Sequence, residues 1–316
     1  MGVKLLNTLL QRLKTDGILR TNLNSFKGKK IVVDANIYMY RYAALGNIVE
    51  NFYLMCSMMR HYDIHPLFIF DGNTRTDDKA EILQNRKDTR KQNINTLQNL
   101  MVTFNDDKNN IKLKKKIKRL KLKCSYYTKN DLEQVKNLLD SCGIMHRTAE
   151  GEADELCAAL VLEKKAYACL TEDTDLFVYG CPRILKYFSS ANHDVMFYDL
   201  NKILNALDIS LTEFQELCSF TGTDYNLNDH SNLFDNLEYL REYKCSNYKK
   251  GFIMWLNETN KITNEKTEQL YKVKNKYNID NRKILSQLDY FIIKNKYLNH
   301  YKIKKLLINH GFIFIN

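Results

Sequence analysis

The chain has 316 residues and a formal net charge of +11, with 44% hydrophobic and 27% charged residues. This balance is typical of a globular protein and excludes a fibrous or intrinsically disordered chain. The positive charge favours a polyanionic partner such as nucleic acid, although a basic protein with scattered lysines has the same net charge.

The eight cysteines form no C-x-x-C pair and show no zinc-ribbon spacing. They are therefore expected to be reduced thiols rather than structural zinc ligands. No apolar run approaches the roughly 20 residues that a membrane-spanning helix needs, and no secretory signal is visible. We expect a protein of a reducing intracellular compartment without membrane association.

Three short apolar segments that end in an acid follow one another along the chain. They are Lys-Ile-Val-Val-Asp at 30–34, Pro-Leu-Phe-Ile-Phe-Asp at 66–71 and Tyr-Ala-Cys-Leu-Thr-Glu-Asp at 167–173. Helical patterns at 47–62 and 152–164 lie between them, which predicts parallel strands joined by helical crossovers. The sequence therefore predicts an α/β fold with a mainly parallel central sheet flanked by helices.

The segment from about 77 to 130 is highly charged and lacks strand patterning. Within it, residues 111–123 are rich in lysine, and Leu113, Ile117 and Leu120 recur at helical spacing, which predicts a helix with one apolar stripe and a basic opposite face. Three interpretations stay open for the basic face: a solvated surface, a nuclear localisation signal, or a phosphate-facing arch.

The last third of the chain, 226–316, alternates Lys, Asn and Tyr with apolar residues at helical intervals, which predicts a helical region packed on the rest. His61 and His65 are four residues apart on a predicted helix, a spacing that can bind zinc. Because no third ligand is apparent, a surface or core role is favoured for both.

Seven carboxylates follow strands or begin helices along the first two thirds of the chain. At the carboxyl ends of parallel strands they would meet at one sheet edge, where they would repel one another unless cations lay among them. Such a site suits Mg²⁺ or Mn²⁺ and the hydrolysis of a phosphodiester by two ions. The alternative is that these acids only cap helices and solubilise loops. The seven are Asp34, Asp71, Glu152, Asp154, Asp173, Asp175 and Asp224.

Six segments, in the same order, resemble the motifs of the flap endonuclease branch of the 5′ nuclease superfamily. The resemblance runs from residue 1 to about 225. The segments are Met-Gly-Val-Lys-Leu-Leu at 1–6, Val-Asp-Ala at 33–35, Phe-Asp-Gly at 70–72, Glu-Ala-Asp-Glu-Leu-Cys-Ala-Ala-Leu at 152–160, Thr-Glu-Asp-Thr-Asp at 171–175 and Thr-Gly-Thr-Asp-Tyr at 221–225.

This resemblance implies a PIN-like 5′ nuclease domain at 1–225, with an N-terminal region at 1–100, a helical arch at about 77–130 and an internal region at 131–225. The helical region 226–316 follows it. It also implies a monomeric, magnesium-dependent enzyme of replication or repair that binds two ions, accepts Mn²⁺ in their place and cuts DNA at 5′ flaps, with 5′–3′ exonuclease activity. The seven acids would hold the metals.

Three related functions stay open beside this one. A 5′ exonuclease, or a nuclease that cuts bubbles, junctions or RNA, would use the same acids. A nucleic-acid-binding module without activity would keep only the fold.

The same resemblance implies roles for basic and aromatic residues. Lys79 and Arg86 would reach the scissile phosphate. Tyr40 would stack on a base beside the cut, although its tyrosine neighbours also allow a core helix. Further DNA contacts are expected from Gly2, Arg90, Lys114, Lys115, Lys116, Lys118 and Arg119.

The chain departs from the family pattern after Asp224. The loop Tyr-Asn-Leu-Asn-Asp-His-Ser-Asn-Leu-Phe at 225–234 contains no glycine, so the resemblance does not extend to the duplex-holding helix-two-turn-helix and its potassium site, and the sequence leaves their presence open. No sliding-clamp motif is visible near residue 316. The family implies the nucleus in a eukaryote, or a cytoplasmic replication factory if the protein is viral.

Overall fold

The computed structural model describes most of the chain. Within these residues no helix combines the length and apolar character needed to cross a membrane. The described residues are 2–72, 80–106, 110–226, 231–279, Ile284, Ser286 and 293–314.

Seven strands form one mixed sheet in the order β1-β7-β6-β5-β2-β3-β4. The pairs β2–β5, β5–β6 and β3–β4 are parallel, whereas β7 is antiparallel to both β6 and β1. The strands are β1 (Ile18–Asn22), β2 (Lys30–Asp34), β3 (His65–Phe70), β4 (Met145–Thr148), β5 (Ala168–Leu170), β6 (Arg183–Ser189) and β7 (Asp194–Asp199).

The three predicted strands are confirmed as β2, β3 and β5. Ile31, Val32 and Val33 of β2 are at most 1% exposed, which explains their continuous apolar run. β5 is shorter than its pattern: it ends at Leu170 and leaves 171–173 in the following turn. The mainly parallel α/β sheet is therefore confirmed, with an antiparallel edge at β1 and β7.

Fourteen α-helices occur in the described residues, and several of them begin with a side-chain cap. Thr128 and Ser210 each form a reciprocal capping box with the acid three residues later. The helices are α1 (Leu6–Arg12), α2 (Ala35–Leu45), α3 (Ile48–His61), α4 (Ala80–Asp106), α5 (Ile111–Cys124), α6 (Lys129–Ser141), α7 (Ala153–Leu162), α8 (Asp175–Val178), α9 (Leu200–Leu207), α10 (Leu211–Thr221), α11 (Leu233–Cys245), α12 (Phe252–Glu258), α13 (Asn264–Lys276) and α14 (His300–Asn309).

The basic amphipathic helix predicted at 111–123 is α5. The Asn110 side chain accepts the Leu113 N–H at its start. Ile117 on its apolar stripe is 8% exposed, whereas Lys115 on the basic face is exposed. The stripe therefore packs inward and the basic face is open to solvent.

The helical placement of His61 and His65 is wrong. His61 is the last residue of α3, and His65 is the first residue of β3. Asp63 between them has a φ of 54°, so the chain turns and the helical spacing between the two rings is lost.

The chain divides into two compact units, each assembled from three stretches. The first contains Met1–Val33, Tyr62–His65 and Asp154–Ile293, and the second contains Asp34–His61, Pro66–Ala153 and Lys294–Asn316.

In the first unit, a buried ion pair joins three helices of the C-terminal region. The Glu216 carboxylate on α10 accepts the backbone N–H groups of Phe252 (2.7 Å) and Ile253 (3.2 Å) at the start of α12. Lys274 on α13 donates to the same carboxylate at 2.6 Å. The carboxylate therefore caps one helix and pairs with a cation on another.

In the second unit, the chain after residue 293 pairs with the end of α6. The Lys296 N–H donates to the Gly143 carbonyl at 2.7 Å, and the Asn299 N–H donates to the Ser141 carbonyl at 2.8 Å. The Arg60 guanidinium donates to the carbonyls of Cys142 and Lys296, both at 3.0 Å. These bonds fix the segment that leads into α14.

Candidate metal centre

In the first unit, a tight turn after β5 carries two of the predicted metal ligands. The Asp173 N–H donates to the Thr171 hydroxyl at 3.0 Å, and the Asp175 N–H donates to Asp173 Oδ1 at 3.1 Å. These bonds end the strand and start α8. Asp173 and Asp175 are only 3% and 6% exposed, so the turn places two carboxylates inside the protein.

Burial raises the pKa of both carboxyl groups. For Asp175 the pKa is raised further by the neighbouring charges of Asp173 and Asp224, and for Asp173 by that of Asp224. Two buried acids that repel each other are stable as anions only with a compensating cation. The three carboxylates thus form an electrostatically coupled set.

The donor chemistry of this set fits a hard divalent cation. Among the described residues, Asp175 Oδ1 and Thr174 Oγ1 are buried without a hydrogen-bond partner. No three His, Cys, Asp or Glu side chains of the described chain are arranged to hold a metal by themselves. Mg²⁺ commonly binds through one or two carboxylates and completes its shell with water and substrate phosphate, so such a cage is not required.

Gly2 lies directly against this set. Its N–H donates to Asp224 Oδ1 at 3.2 Å, and its φ is +82°. A Cβ at this position would lie 2.2 Å from Thr174 Oγ1 and 2.4 Å from Asp173 Oδ1. The packing therefore requires glycine, and Gly2 contacts the acids themselves.

Two further residues beside the turn were not predicted to belong to the site. Lys186 on β6 is fully buried, and its ammonium donates to the Glu172 carbonyl at 2.9 Å. Burial lowers the pKa of Lys186, while the nearby Glu172 and Asp173 charges oppose that shift. The Tyr277 hydroxyl donates to Asp175 Oδ2 at 3.0 Å. Tyr277 is 102 residues from Asp175, whereas Lys186 is 14 residues from Glu172 and lies on the next strand.

In the second unit, Asp71 follows β3 and is held at both oxygens. Its Oδ1 accepts the Ala153 N–H at the start of α7 at 2.9 Å, and its Oδ2 accepts the Asn36 amide. Asn36 is the second residue of α2, which begins directly after Asp34 at the end of β2. Asp34 and Asp71 therefore lie at the ends of β2 and β3, as the apolar runs predicted.

An aromatic pair lies beside these two acids. Tyr40 on α2 is 47% exposed, and its ring meets that of Tyr127 at 5.0 Å and 63°. Burial raises the pKa of Tyr127, and Tyr40, Asp71 and Asp34 raise it further. Tyr40 is thus about half exposed beside Tyr127, and it is Tyr127 on which the charges of the two carboxylates act.

The remaining predicted acids flank the start of α7. Glu152 precedes the helix and is half-buried, and Asp154 lies in its first turn. In the first unit, Asp154 contributes to raising the pKa of Tyr179, after burial and Tyr225.

The predicted DNA-contacting residues lie in the second unit apart from Gly2. Arg90 on α4 donates to the Cys124 carbonyl at 3.1 Å and lies 4.2 Å from the Tyr126 ring centroid, so it joins α4 to the end of α5. Lys79, and the side chains of Arg86 and Lys118, lie outside the described residues. The exposed α5 residues are Lys114, Lys115, Lys116 and Arg119.

Two family models match the chain. The XPG N-terminal domain matches residues 1–93, and the XPG I-region matches residues 143–224. Five of the seven acids lie in the second match and two in the first.

Known proteins are similar to much of the chain. Flap endonuclease 1 of Encephalitozoon cuniculi is 30% identical over 71% of this chain and 68% of its own length. A RAD2-like endonuclease of Invertebrate iridescent virus 6 is 26% identical over 81% of this chain and 77% of its own. The chain spans about three-fifths of the length of several curated flap endonucleases that it matches.

A solved structure has the same fold. The catalytic core of Rad2 in complex with DNA substrate superimposes with a TM-score of 0.69 at 20% identity, covering 98% of this chain and 96% of that one. The two family models and the Encephalitozoon relative show that the chain belongs to the flap endonuclease family.

Proposed function

We propose that this protein is a magnesium-dependent, structure-specific endonuclease that hydrolyses DNA phosphodiesters at 5′ flaps, with 5′–3′ exonuclease activity on related substrates. The observation that carries the proposal is the buried pair Asp173 and Asp175. Their carboxylates repel each other, and Asp175 Oδ1 has no hydrogen-bond partner among the described residues, which fits a divalent cation. Family membership supports the choice of DNA as substrate.

The metal ligands in this proposal are the seven acids. In the first unit Asp173, Asp175 and Asp224 supply a coupled set, and in the second unit Asp34 and Asp71 are supplied by strand ends. Glu152 and Asp154 are assigned by their place in the motif. Two Mg²⁺ ions, replaceable by Mn²⁺, would lower the pKa of a water and stabilise the leaving oxygen.

The chain's own groups would position the DNA. Tyr40, with an exposed ring held by Tyr127, would stack on the base beside the scissile phosphate. Lys79 and Arg86 would stabilise charge on that phosphate. The basic face of α5 and Arg90 would guide the single strand by attraction to its phosphates.

The compartment and the biological process are part of the proposal. All eight cysteines are free thiols, which suits a reducing compartment. We place the protein in DNA replication or repair, acting as a monomer in the nucleus or, if it is viral, in a cytoplasmic replication factory.

A substrate panel tests the proposal. Flap, gapped, bubble and four-way-junction DNA and a matched RNA flap are incubated with the protein in Mg²⁺, in Ca²⁺ and in EDTA. We expect the fastest cleavage on the 5′ flap in Mg²⁺, and binding without cleavage in Ca²⁺. Fastest cleavage of another substrate would instead identify a related exonuclease, junction-cutting nuclease or RNA nuclease.

A pair of variants tests the residues. Asp173→Ala should abolish cleavage and retain flap binding, whereas Glu238→Ala, at an exposed acid on α11, should cleave like the wild type. If the wild type binds flap DNA in Mg²⁺ without cutting it, and Asp173→Ala is indistinguishable, the chain is a binding module and the proposal is wrong.

A further inference from the structure

Tyr277 links the C-terminal helical region to the acids of the first unit. It follows α13 and is 1% exposed, and its hydroxyl donates to Asp175 Oδ2 at 3.0 Å. Both family models end at or before residue 224, so Tyr277 lies outside the matched segments. A residue outside those segments therefore contacts a proposed metal ligand.

Two other tyrosines hold the Tyr277 ring in place. Its centroid lies 4.9 Å from that of Tyr179 and 5.4 Å from that of Tyr225, and both pairs meet edge to face. The hydroxyls of Tyr179 and Tyr225 are 3.2 Å apart and hydrogen-bond to each other. This packing favours a single ring position, so the Tyr277 oxygen is held beside Asp175.

The Tyr277 hydroxyl is suited to act as a permanent donor. A tyrosine hydroxyl carries its proton at neutral pH, and that of Tyr277 lies 3.0 Å from Asp175 Oδ2. The bond occupies one oxygen of Asp175 and fixes the rotation of the carboxylate. The other oxygen, Oδ1, is buried with no hydrogen-bond partner among the described residues.

We propose that Tyr277 is a positioning residue that orients Asp175 so that Oδ1 faces a divalent cation. The proposal rests on the proposed function, because it takes Asp175 as a metal ligand. It adds that the C-terminal helical region, through one hydroxyl, sets the affinity of the metal site. A tyrosine that only fills space would contribute to stability but not to metal affinity.

Metal binding measured without DNA separates these roles. Mn²⁺ is titrated into DNA-free wild-type protein, Tyr277→Phe, Asp175→Asn and Tyr243→Phe, and free Mn²⁺ is followed by electron paramagnetic resonance. Tyr243 is a matched control: it is a buried tyrosine of the same region whose ring packs on Phe252 and Trp255.

We expect Tyr277→Phe to weaken Mn²⁺ binding about tenfold, since losing the hydrogen-bond partner of a metal ligand costs about 10- to 100-fold in affinity. Tyr243→Phe should bind like the wild type. In cleavage assays, the Mg²⁺ concentration for half-maximal rate should rise for Tyr277→Phe, and saturating Mg²⁺ should restore most of the rate.

If Tyr277→Phe is less stable than the wild type, the increase of Tm on addition of Mn²⁺ still reports metal affinity. Bound Mn²⁺ raises Tm according to its affinity, so a smaller rise in this variant than in Tyr243→Phe supports the proposal. An unchanged Mn²⁺ affinity and an unchanged Mg²⁺ dependence overturn it, even if Tm falls.

The outcomes also distinguish this inference from the proposed function. If the wild type binds Mn²⁺ and cleaves flaps but Tyr277→Phe matches it, only the role of Tyr277 is wrong. If the wild type neither binds Mn²⁺ nor cleaves, or if Asp175→Asn binds Mn²⁺ as well as the wild type, the assignment of the metal site itself fails.

Discussion

Replacing Gly2 by alanine is the sharpest single test of the site's geometry. The new methyl carbon would lie 2.2 Å from Thr174 Oγ1, 2.4 Å from Asp173 Oδ1 and 2.8 Å from Asp175 Oδ1, whereas ordinary contact begins at 3.4 Å. These oxygens belong to short, buried side chains that have little room to turn away. The substitution must therefore push the turn and the amino terminus apart.

The required displacement sets the expected loss of activity. Relieving the two closest contacts takes a movement on the order of 1 Å, and a misplacement of that size at a catalytic group costs about 100-fold in rate. The left-handed φ of +82° adds a cost of about 1 to 2 kcal/mol for an alanine, which lowers stability. We predict a Gly2→Ala enzyme that folds, binds flap DNA and cleaves about 100-fold more slowly.

Gly28→Ala is the control for backbone strain alone. Gly28 has a φ of +71°, and a Cβ added there would meet no heavy atom within 4 Å. Single-turnover cleavage of a labelled 5′ flap at saturating enzyme compares the two variants with the wild type. A Gly2→Ala rate within twofold of that of Gly28→Ala would refute the crowded geometry.

Three further predictions concern stability and substrate binding. Lys274→Met leaves the Glu216 carboxylate buried without its cation and should lower the free energy of unfolding in urea by about 3 to 5 kcal/mol; a loss below about 1 kcal/mol would contradict the buried pairing. The pKa of Asp175 is higher in the folded protein than in the unfolded chain. The free energy of unfolding therefore falls as the pH rises from the unfolded-state pKa to the folded-state pKa. Asp175→Asn should therefore raise the Tm of metal-free protein at pH 7.5, a gain that calorimetry should find absent near pH 4. In a fluorescence titration with labelled flap DNA, Tyr127→Ala should weaken binding between about twofold and tenfold, since it removes the ring contact that holds Tyr40. Tyr127→Phe should bind like the wild type.

The parts of the fold that local patterns encode were predictable from the sequence. The apolar runs of β2 and β3 ending in Asp34 and Asp71 correspond to buried strands, and the spacing of Ile117 with its neighbours corresponds to the packed face of α5. A continuous apolar run predicts a strand buried on both faces, and helical spacing of apolar residues predicts one packed face of a helix.

Contacts between distant residues were not predictable in this way. Tyr277 is 102 residues from Asp175, and its pattern is that of an ordinary helix end. Lys186 interrupts an apolar strand, which marks it as unusual without naming its partner. β5 ends at Leu170, before the end of the predicted segment 167–173, and the turn that follows is held by the bond from the Asp173 N–H to the Thr171 hydroxyl. The catalytic roles of Lys79 and Arg86 stay predictions.

The pairing of the last segment with Ser141 and Gly143 has a consequence for biosynthesis. The second unit begins with Asp34 but receives its final stretch only from Lys294 onward. The ribosome must therefore synthesise the chain past Asn299 before the bonds from Lys296 and Asn299 can form. A gene fragment that stops before Lys294 would leave the carbonyls of Ser141 and Gly143 without those donors, so its product would expose a surface that this stretch otherwise covers.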